Sequence, residues 1–493
     1  MSVKIRYKDV AVGADSDATV STSSKTAFSA IEKIPFGVSS PALATCELNG
    51  WGLTHDYKVR EADRQVAFWS SIASKVDCTF SENPTITLKF SRQITTTGIT
   101  IMFDENSNDY CTGVILEWYQ GGVYKDFIVD IPTSALYTLN YTVEAFDEIR
   151  ITFASTSLPR KRCKVEGITI GVIREFGMKE LVSVKAIHEI DLISDTVPIN
   201  VLDATIHSRD DVEWLFQKKQ PVEAFADGNL IGTYYIEKGE QNSLKDVSIS
   251  CKDIISLLEL KTTRGGLWLA DTPLTTILSE IFGEDAVFEI DNAYANSTLR
   301  GYLAEMNKRE ALQHICFALG AVVDTSGTSA VKIFPPSYSI AEDIVPRDTY
   351  EGGKVTTSDT VTAVEVTAFD IVDERPGTND ESIEYNKVQY KCKSEVKRVE
   401  NPDVVTSDIE NVKKFDMCYL VNSSNALTLA NNIMSYYKKR RKYDFKHVLR
   451  GEQVGGGYSV HLPWGGTTNG NITKMTVTTS NLTVSDAEMI LNE

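Results

Sequence analysis

Apolar and polar residues alternate along most of this chain with a period of two, the pattern of strands that bury one face. Ile86–Phe90, Gly98–Phe103, Val114–Tyr119, Asp126–Asp130, Glu148–Phe153 and Val165–Ile173 are short runs rich in β-branched and aromatic residues, separated by polar turns. Strands recurring in this way suit a two-sheet, jelly-roll-like sandwich over residues 45–173. Residues 1–44 are rich in Ser, Thr, Ala and Asp and predict an extended lead-in, with Val3, Ile5 and Tyr7 alternating like an edge strand.

The stretch from Ile187 to Leu258 organises the rest. Val222–Phe225 and Leu230–Ile236 flank Asp227-Gly228, and an Asp-Gly pair between two β-rich runs is a strong hairpin signal. Pro198 and Pro221 stand at strand starts, where a missing N–H does least harm. Asp253 precedes Ile254, Ile255, Leu257 and Leu258, a short helix suited to packing across an open barrel end.

The period then changes. Leu274, Ile277, Leu278, Ile281 and Phe282 form a helical stripe closed by Gly283. A second helix starts at Asn307 with Glu310 in capping-box spacing. It carries Ala311, Leu312, Ile315, Cys316 and Leu319 on its apolar face and ends at Gly320. The strands 321–324 and 330–334 complete an α/β insert over 261–336. Alternation resumes over 350–369, 373–382 reads as a loop, and 425–438 as a helix with Leu427, Ala430, Ile433, Met434 and Tyr437 on one side. Strands follow to the end, including 458–462 and 472–479.

The order of pieces in 187–258 resembles the first tail-tube-like barrel of phage tail hub proteins. Lys308–Asp324 is similar to the helix-then-strand unit between the two barrels of that family. Tyr350–Ala368 resembles the opening of their second barrel. The resemblance covers about residues 175–493 and implies a first barrel at 174–260, the insert, and a second barrel at 337–493. It implies a homotrimeric ring joining a sixfold tail tube to a threefold spike or tip, placed in a virion tail baseplate and assembled in the host cytoplasm. Implied partners are the tail-tube ring, a spike or tip protein, other baseplate proteins and a tape-measure protein, with DNA only as passing cargo. The phrases Gly98–Asp104, Val114–Tyr119 and Val165–Gly171 resemble discoidin-like or carbohydrate-binding-module jelly rolls. That likeness implies a second function class, a glycan- or receptor-binding tip protein working through the sandwich.

The 493 residues exceed one core and suggest several domains. No run approaches the ~18 apolar residues of a membrane span, so no membrane insertion is expected. The start, Met1–Tyr7, lacks the apolar segment of a signal peptide. The net charge of −18 argues against a general nucleic-acid-binding surface. It fits both a conduit wall that repels phosphate and plain solubility. The eight cysteines show no zinc spacing and read as buried thiols.

Candidate chemistry is sparse. Trp51, Trp69, Trp118 and Tyr119 could stack on sugars or fill a core; Trp118 and Tyr119 are the glycan-contact candidates. Asp104–Asp109 offers oxygen ligands for Ca²⁺ but lacks the ligand alternation of an EF-hand, and reads as a solvated acidic turn. Pro159–Lys164 reads as a basic hairpin surface. Lys438–Lys442 follows a helix end, where the dipole accounts for it, although contact with an acidic tube ring is the alternative. His188, His207 and His314 read as structural. A hydrolase was weighed as a third class, but no nucleophile–histidine block, H-E-x-x-H helix or phosphate loop is recognisable. The expectation is a mainly β protein with a small α/β part, without catalysis, metal or cofactor.

Overall fold

The computed structural model describes residues 3–11, 13–26, 29–37, 67–104, 109–208, 219–226, 228–340, 342–350, 352–404, 409–462, 464–479 and 483–492. The chain is mainly β with a small helical part. It divides into two units, one of Arg6–Glu175 with Trp214–Gln220, the other of Met1–Ile5, Phe176–Glu213 and Pro221–Glu493.

In the first unit, Phe68–Ala73, Thr85–Phe103, Cys111–Gln120, Val123–Asp130, Leu136–Thr156 and Arg162–Thr169 form the expected β domain. They belong to one hydrogen-bonded sheet. Its two long strands pair through repeated register breaks between Lys89 and Gly98, so the layers are continuous. Phe68, Leu88, Phe103, Leu116, Trp118, Phe146 and Phe153 fill the core between them. Among the described residues of 1–44, Thr19–Thr22 pairs with Ile86–Lys89 as a further strand of this sheet, and Val3, Ile5 and Tyr7 are buried. The expected start of the sandwich at 45–66, with Cys46 and Trp51, lies outside the described residues.

The second unit contains one pattern twice. Its first copy is β1 (Leu181–Glu189), β2 (Val201–His207), β3 (Pro221–Ala226), β4 (Asn229–Gln241) and β5 (Asp246–Lys252), hydrogen-bonded in the order β1-β2-β5-β4-β3. The expected hairpin joins β3 and β4; Gly228 has φ 83° in its turn, and Asp227 lies outside the described residues. Pro221 opens β3. The second copy is β6 (Lys354–Thr357), β7 (Arg441–Val448), β8 (Gly457–His461), β9 (Thr467–Thr479) and β10 (Thr483–Leu491), in the order β6-β7-β10-β9-β8.

The remaining elements share a second core. Helix Leu274–Phe282 buries all five of its predicted apolar positions. Helix Lys308–Leu319 is capped as predicted: the Asn307 side chain accepts from the Glu310 N–H at 2.8 Å, and Gly320 takes the left-handed conformation at φ 66°. Strand Ala363–Val372 departs from expectation. It pairs with Val388–Glu400 and Val412–Phe415 in a separate sheet, not with the second copy. Val364, Val366 and Ala368 bury their faces against the same core as helix Ala426–Tyr437 and the two earlier helices. The insert therefore draws on 261–336 and on about 361–437, and the second barrel region is interrupted between β6 and β7. On helix Ala426–Tyr437 the buried stripe is Ala426, Leu429, Ala430, Ile433 and Met434. Leu427, expected inside, is 54% exposed because it sits about one-quarter turn off that stripe.

Candidate functional site

The two copies meet edge to edge. β1 pairs antiparallel with β9 from Val184 opposite Thr479 to Glu189 opposite Lys474. The Glu189–Lys474 pair closes one end of this seam with an ion pair of 2.7 Å. Both copies break register in the fourth strand just after an isoleucine, between Ile236 and Lys238 and between Ile472 and Lys474. Matching these breaks also matches Lys185 opposite Asp203 with Lys354 opposite Asp444, across the first two strands of each copy. A shared strand order, a shared bulge and a shared Lys–Asp pair make this an internal repeat.

One face of the joined sheet is mostly polar, with Ile187, Val201 and Val484 interspersed. Lys185, Glu189, Asp203, Lys474, Thr476, Asp486, Glu488, Asp444 and Lys446 all lie on it, half-buried or exposed. Lys442–Glu488 at 2.7 Å and Lys446–Asp486 at 3.8 Å continue the alternation of sign. The face is charge-mixed, not uniformly acidic, so it offers phosphate neither an attractive nor a strongly repulsive wall. The opposite face carries Ala186, Leu202, Ala204, Phe445, Met475, Val477 and Ala487, all buried.

Polar groups lie beneath the seam. His188, directly opposite Met475, is buried and hydrogen-bonds the Tyr234 hydroxyl. Burial, with Lys332 nearby, pushes its pKa down to about 4, which keeps the ring neutral. A cavity of about 80 Å³ lies beside it, lined by Asn229, Ser326, Arg450, Glu452 and Met475 among others. That volume holds a few waters, not a drug-sized ligand. Asp253 joins the first copy to the insert. Its Oδ2 accepts from the Asn200 N–H at 3.1 Å and the Thr325 hydroxyl at 2.6 Å, and its Oδ1 from the Ile255 N–H at 3.2 Å. Burial pushes its pKa up to about 7.

The sequence candidates fall as follows. Trp118 is 1% exposed, packed with its ring 5.5 Å from that of Tyr141, so it is withdrawn as a glycan contact. Strand alternation places its neighbour Tyr119 on the outer face, where the Arg150 guanidinium stacks 4.0 Å above the ring. Trp118→Ala should cost about 3–5 kcal/mol of stability, against less than about 1 kcal/mol for Tyr119→Ala, as read from denaturant midpoints of the two variants. Trp69 faces the Lys164 ammonium at 5.5 Å.

Pro159–Lys164 is not a hairpin surface. Lys161 and Lys164 turn inward, 2% and 7% exposed, and both ammonium groups bond Asp109 Oδ2 at 3.0 Å. Lys164 also lies 3.8 Å from Asp104, so both described carboxylates of the acidic turn face ammonium groups of this chain. Residues 105–108 of that turn lie outside the described residues. Among the described residues no cluster of three His, Cys, Asp or Glu side chains could hold a metal. The described cysteines are free.

In the run 438–442, Lys438 bonds Asp403 at 2.7 Å, Lys439 lies 4.4 Å over Tyr338, Arg440 donates to the Ser358 carbonyl at 2.9 Å and Lys442 bonds Glu488. These partners within the chain account for the run. His207 bonds Asp246 at 2.6 Å on the surface, and burial lowers the pKa of His314. Among the described residues no hydroxyl nucleophile is hydrogen-bonded to either.

No protein-family model matches the sequence, and no curated protein matches it. Among solved structures, the chain is similar to a tail protein from Neisseria meningitidis MC58, with 13% identity and a TM-score of 0.46, covering 64% of this chain and 93% of that one. It is similar to the 43 kDa tail protein of prophage MuSo2 from Shewanella oneidensis, with 9% identity and a TM-score of 0.45, over 65% and 94%. A prophage tail protein from Listeria monocytogenes EGD-e matches at 11% identity and a TM-score of 0.43, over 65% and 91%.

Proposed function

We propose that this protein is a structural hub of a phage or phage-like tail, a trimeric ring in the baseplate or tip that joins the tail tube to the spike and forms part of the conduit. The observation that carries this reading is the internal repeat. Two copies with one strand order are already fused side by side into a single sheet, so three chains supply six nearly equivalent modules. A ring of that kind matches a sixfold tube on one side and a threefold tip on the other. The mostly polar, charge-mixed face suits a wall past which a polyanion moves without sticking. Ordered by this reading, the partners are the tube ring, the spike or tip protein and neighbouring baseplate proteins.

No bond chemistry is required of the chain. Its work is docking, and its binding energy comes from strand edges and the surfaces around them. The reading is tested by removing the protein from a producing cell. Particles should then lack completed tails, with tube and spike proteins left unjoined. Intact, functional tails in its absence would overturn it.

A further inference from the structure

Two buried thiols of the N-terminal unit lie beside the ion pairs of Asp109. Cys111 opens the strand Cys111–Gln120, and Cys163 lies in Arg162–Thr169. They are 1% and 0% exposed and belong to one core. Strand alternation puts Asp109 and Cys111 on the same inward side, with the half-buried Tyr110 between them. Asp109 Oδ2 bonds Lys161 and Lys164, which bracket Cys163, at 3.0 Å each. The carboxylate is therefore anchored across the Cys163 position, and Cys111 follows it two residues later. Ser74 supplies a second tie. Cys111 stands opposite Thr156 in the sheet, the Thr156 hydroxyl donates to Ser74 Oγ at 2.7 Å, and Ser74 Oγ accepts from the Lys161 N–H at 3.1 Å. The Cys163 N–H donates to Ser70 Oγ at 3.0 Å. Held by these clamps, the Cys111 thiol is a hydrogen-bond neighbour of the Cys163 thiol. Burial, and then that neighbour, raise the Cys163 pKa well above the ordinary thiol value, so its proton stays on at neutral pH.

We propose that Cys111 and Cys163 are a redox pair that closes to a disulfide inside the N-terminal β domain, with a small-molecule disulfide such as oxidised glutathione as the oxidant. The step balances as two exchanges. One cysteine gives up its proton and attacks the small disulfide, whose S–S bond breaks; a mixed disulfide forms and one small thiol leaves. The other cysteine then gives up its proton and attacks the protein sulfur of the mixed disulfide, and the second small thiol leaves. The protein loses two S–H bonds and gains one S–S bond, and the two electrons end on the small thiols. The strands Thr85–Phe103 and Leu136–Thr156 separate the two cysteines in the sheet order, so the new bond acts across the core and not along the sheet. It closes a loop over residues 112–162, which restricts the unfolded chain. Both sulfurs are out of solvent and Cys163 keeps its proton, so exchange waits on local opening and is slow. In a reducing compartment the pair stays open; outside one it closes and locks the domain. Cys78 is the nearby competitor: it is half-buried, and its carbonyl accepts from the Thr156 N–H at 3.0 Å.

The test uses the full-length chain and oxidised glutathione in excess, once in native buffer and once in urea below the unfolding midpoint, where local opening is frequent. Remaining thiols are then alkylated and the chain is digested without reductant. The expected product is the peptide holding Cys111 joined to the peptide holding Cys163, lighter than their sum by two hydrogens and at least tenfold above any other cysteine pair. Thermal unfolding of the N-terminal unit should move up by about 5–15 °C and return on addition of dithiothreitol. Cys111→Ala should show neither the joined peptide nor the shift, and Cys78→Ser should keep both. If Cys111→Ala does not fold, the oxidised and re-reduced wild type supplies the same comparison. Full alkylation of Cys111 and Cys163 under both conditions, a joined pair that uses Cys78 instead, or a Cys111–Cys163 link that leaves the midpoint unchanged or lowers it, overturns the proposal. None of these outcomes bears on the ring reading.

Discussion

Asp109→Ala is expected to unfold the N-terminal unit while leaving the repeat unit folded. Asp109 is the carboxylate between two nearly buried ammonium groups, Lys161 and Lys164, each 3.0 Å from its Oδ2. Burial pushes its pKa up, but the two lysines outweigh burial and hold it below the usual carboxylate range. Asp104 is 3.8 Å from Lys164 and cannot serve both cations. Removing one partner of a buried ion pair costs about 3–5 kcal/mol, because the remaining charge is left uncompensated in low dielectric. Here Lys161 loses this carboxylate, while Lys164 keeps Asp104 at 3.8 Å. That cost is a large fraction of the ~5–15 kcal/mol that holds a typical domain. The measurement is far-UV and near-UV thermal unfolding, with proteolysis to separate the units. Replacing a lysine at the same time should restore part of the loss: Asp109→Ala with Lys161→Met should unfold at a higher temperature than Asp109→Ala alone. If the single variant melts like wild type, the buried triad contributes nothing to stability.

The second large effect is a pH dependence. Burial raises the pKa of Asp253 from 3.8 to about 7, against its bonds from Thr325 and the backbone, which lower it. The sign follows from proton counting. Between pH 4 and 7 the folded state holds a proton that the unfolded state has released, so stability falls as pH rises through that window. Below it the two states bind the proton equally and this cost is absent; above it the full cost remains. A shift from 3.8 to about 7 corresponds to on the order of 4 kcal/mol at 1.36 kcal/mol per unit. Asp253→Asn cannot ionise, so it should lose this slope. It also meets the Ile255 and Asn200 N–H groups with a single carbonyl oxygen, which costs about 1–2 kcal/mol at acid pH. Wild type should therefore be the more stable at pH 4 and the less stable at pH 8, with the difference between the two proteins changing by on the order of 4 kcal/mol. Denaturant unfolding at the two values measures it. Parallel pH profiles would show that Asp253 is not the titrating group.

The sequence was most informative where one local rule decides. Asn307 with Glu310, Gly320 and Gly283 mark helix ends because caps act over a few residues. Leu274, Ile277, Leu278, Ile281 and Phe282 are buried together because helical geometry alone puts them on one side. The alternation in Ala363–Val372 correctly indicates a strand, yet no pattern in it says which sheet it joins. Its Val364, Val366 and Ala368 face helices distant in the chain, and only tertiary packing selects them. Lys161 and Lys164 misled for the same reason. A run of cations reads as solvated surface unless its partner is known, and Asp109 lies some fifty residues away. Trp118 and Tyr119 show the limit of composition: both suit a sugar platform, but strand alternation sends one inward and the other outward. The strands of the candidate interface were legible singly. Their pairing was not, because the repeat retains little more than Lys185 and Lys354, Asp203 and Asp444, and the matched bulges after Ile236 and Ile472.

The mass of the intact chain in solution, measured by light scattering across a concentration series, bears most directly on the proposed ring. One chain weighs 54.7 kDa. The account predicts a species of three chains, either alone or on addition of tail-tube protein, and nothing larger that grows without limit. A monomer that persists at high concentration and ignores tube protein would contradict it.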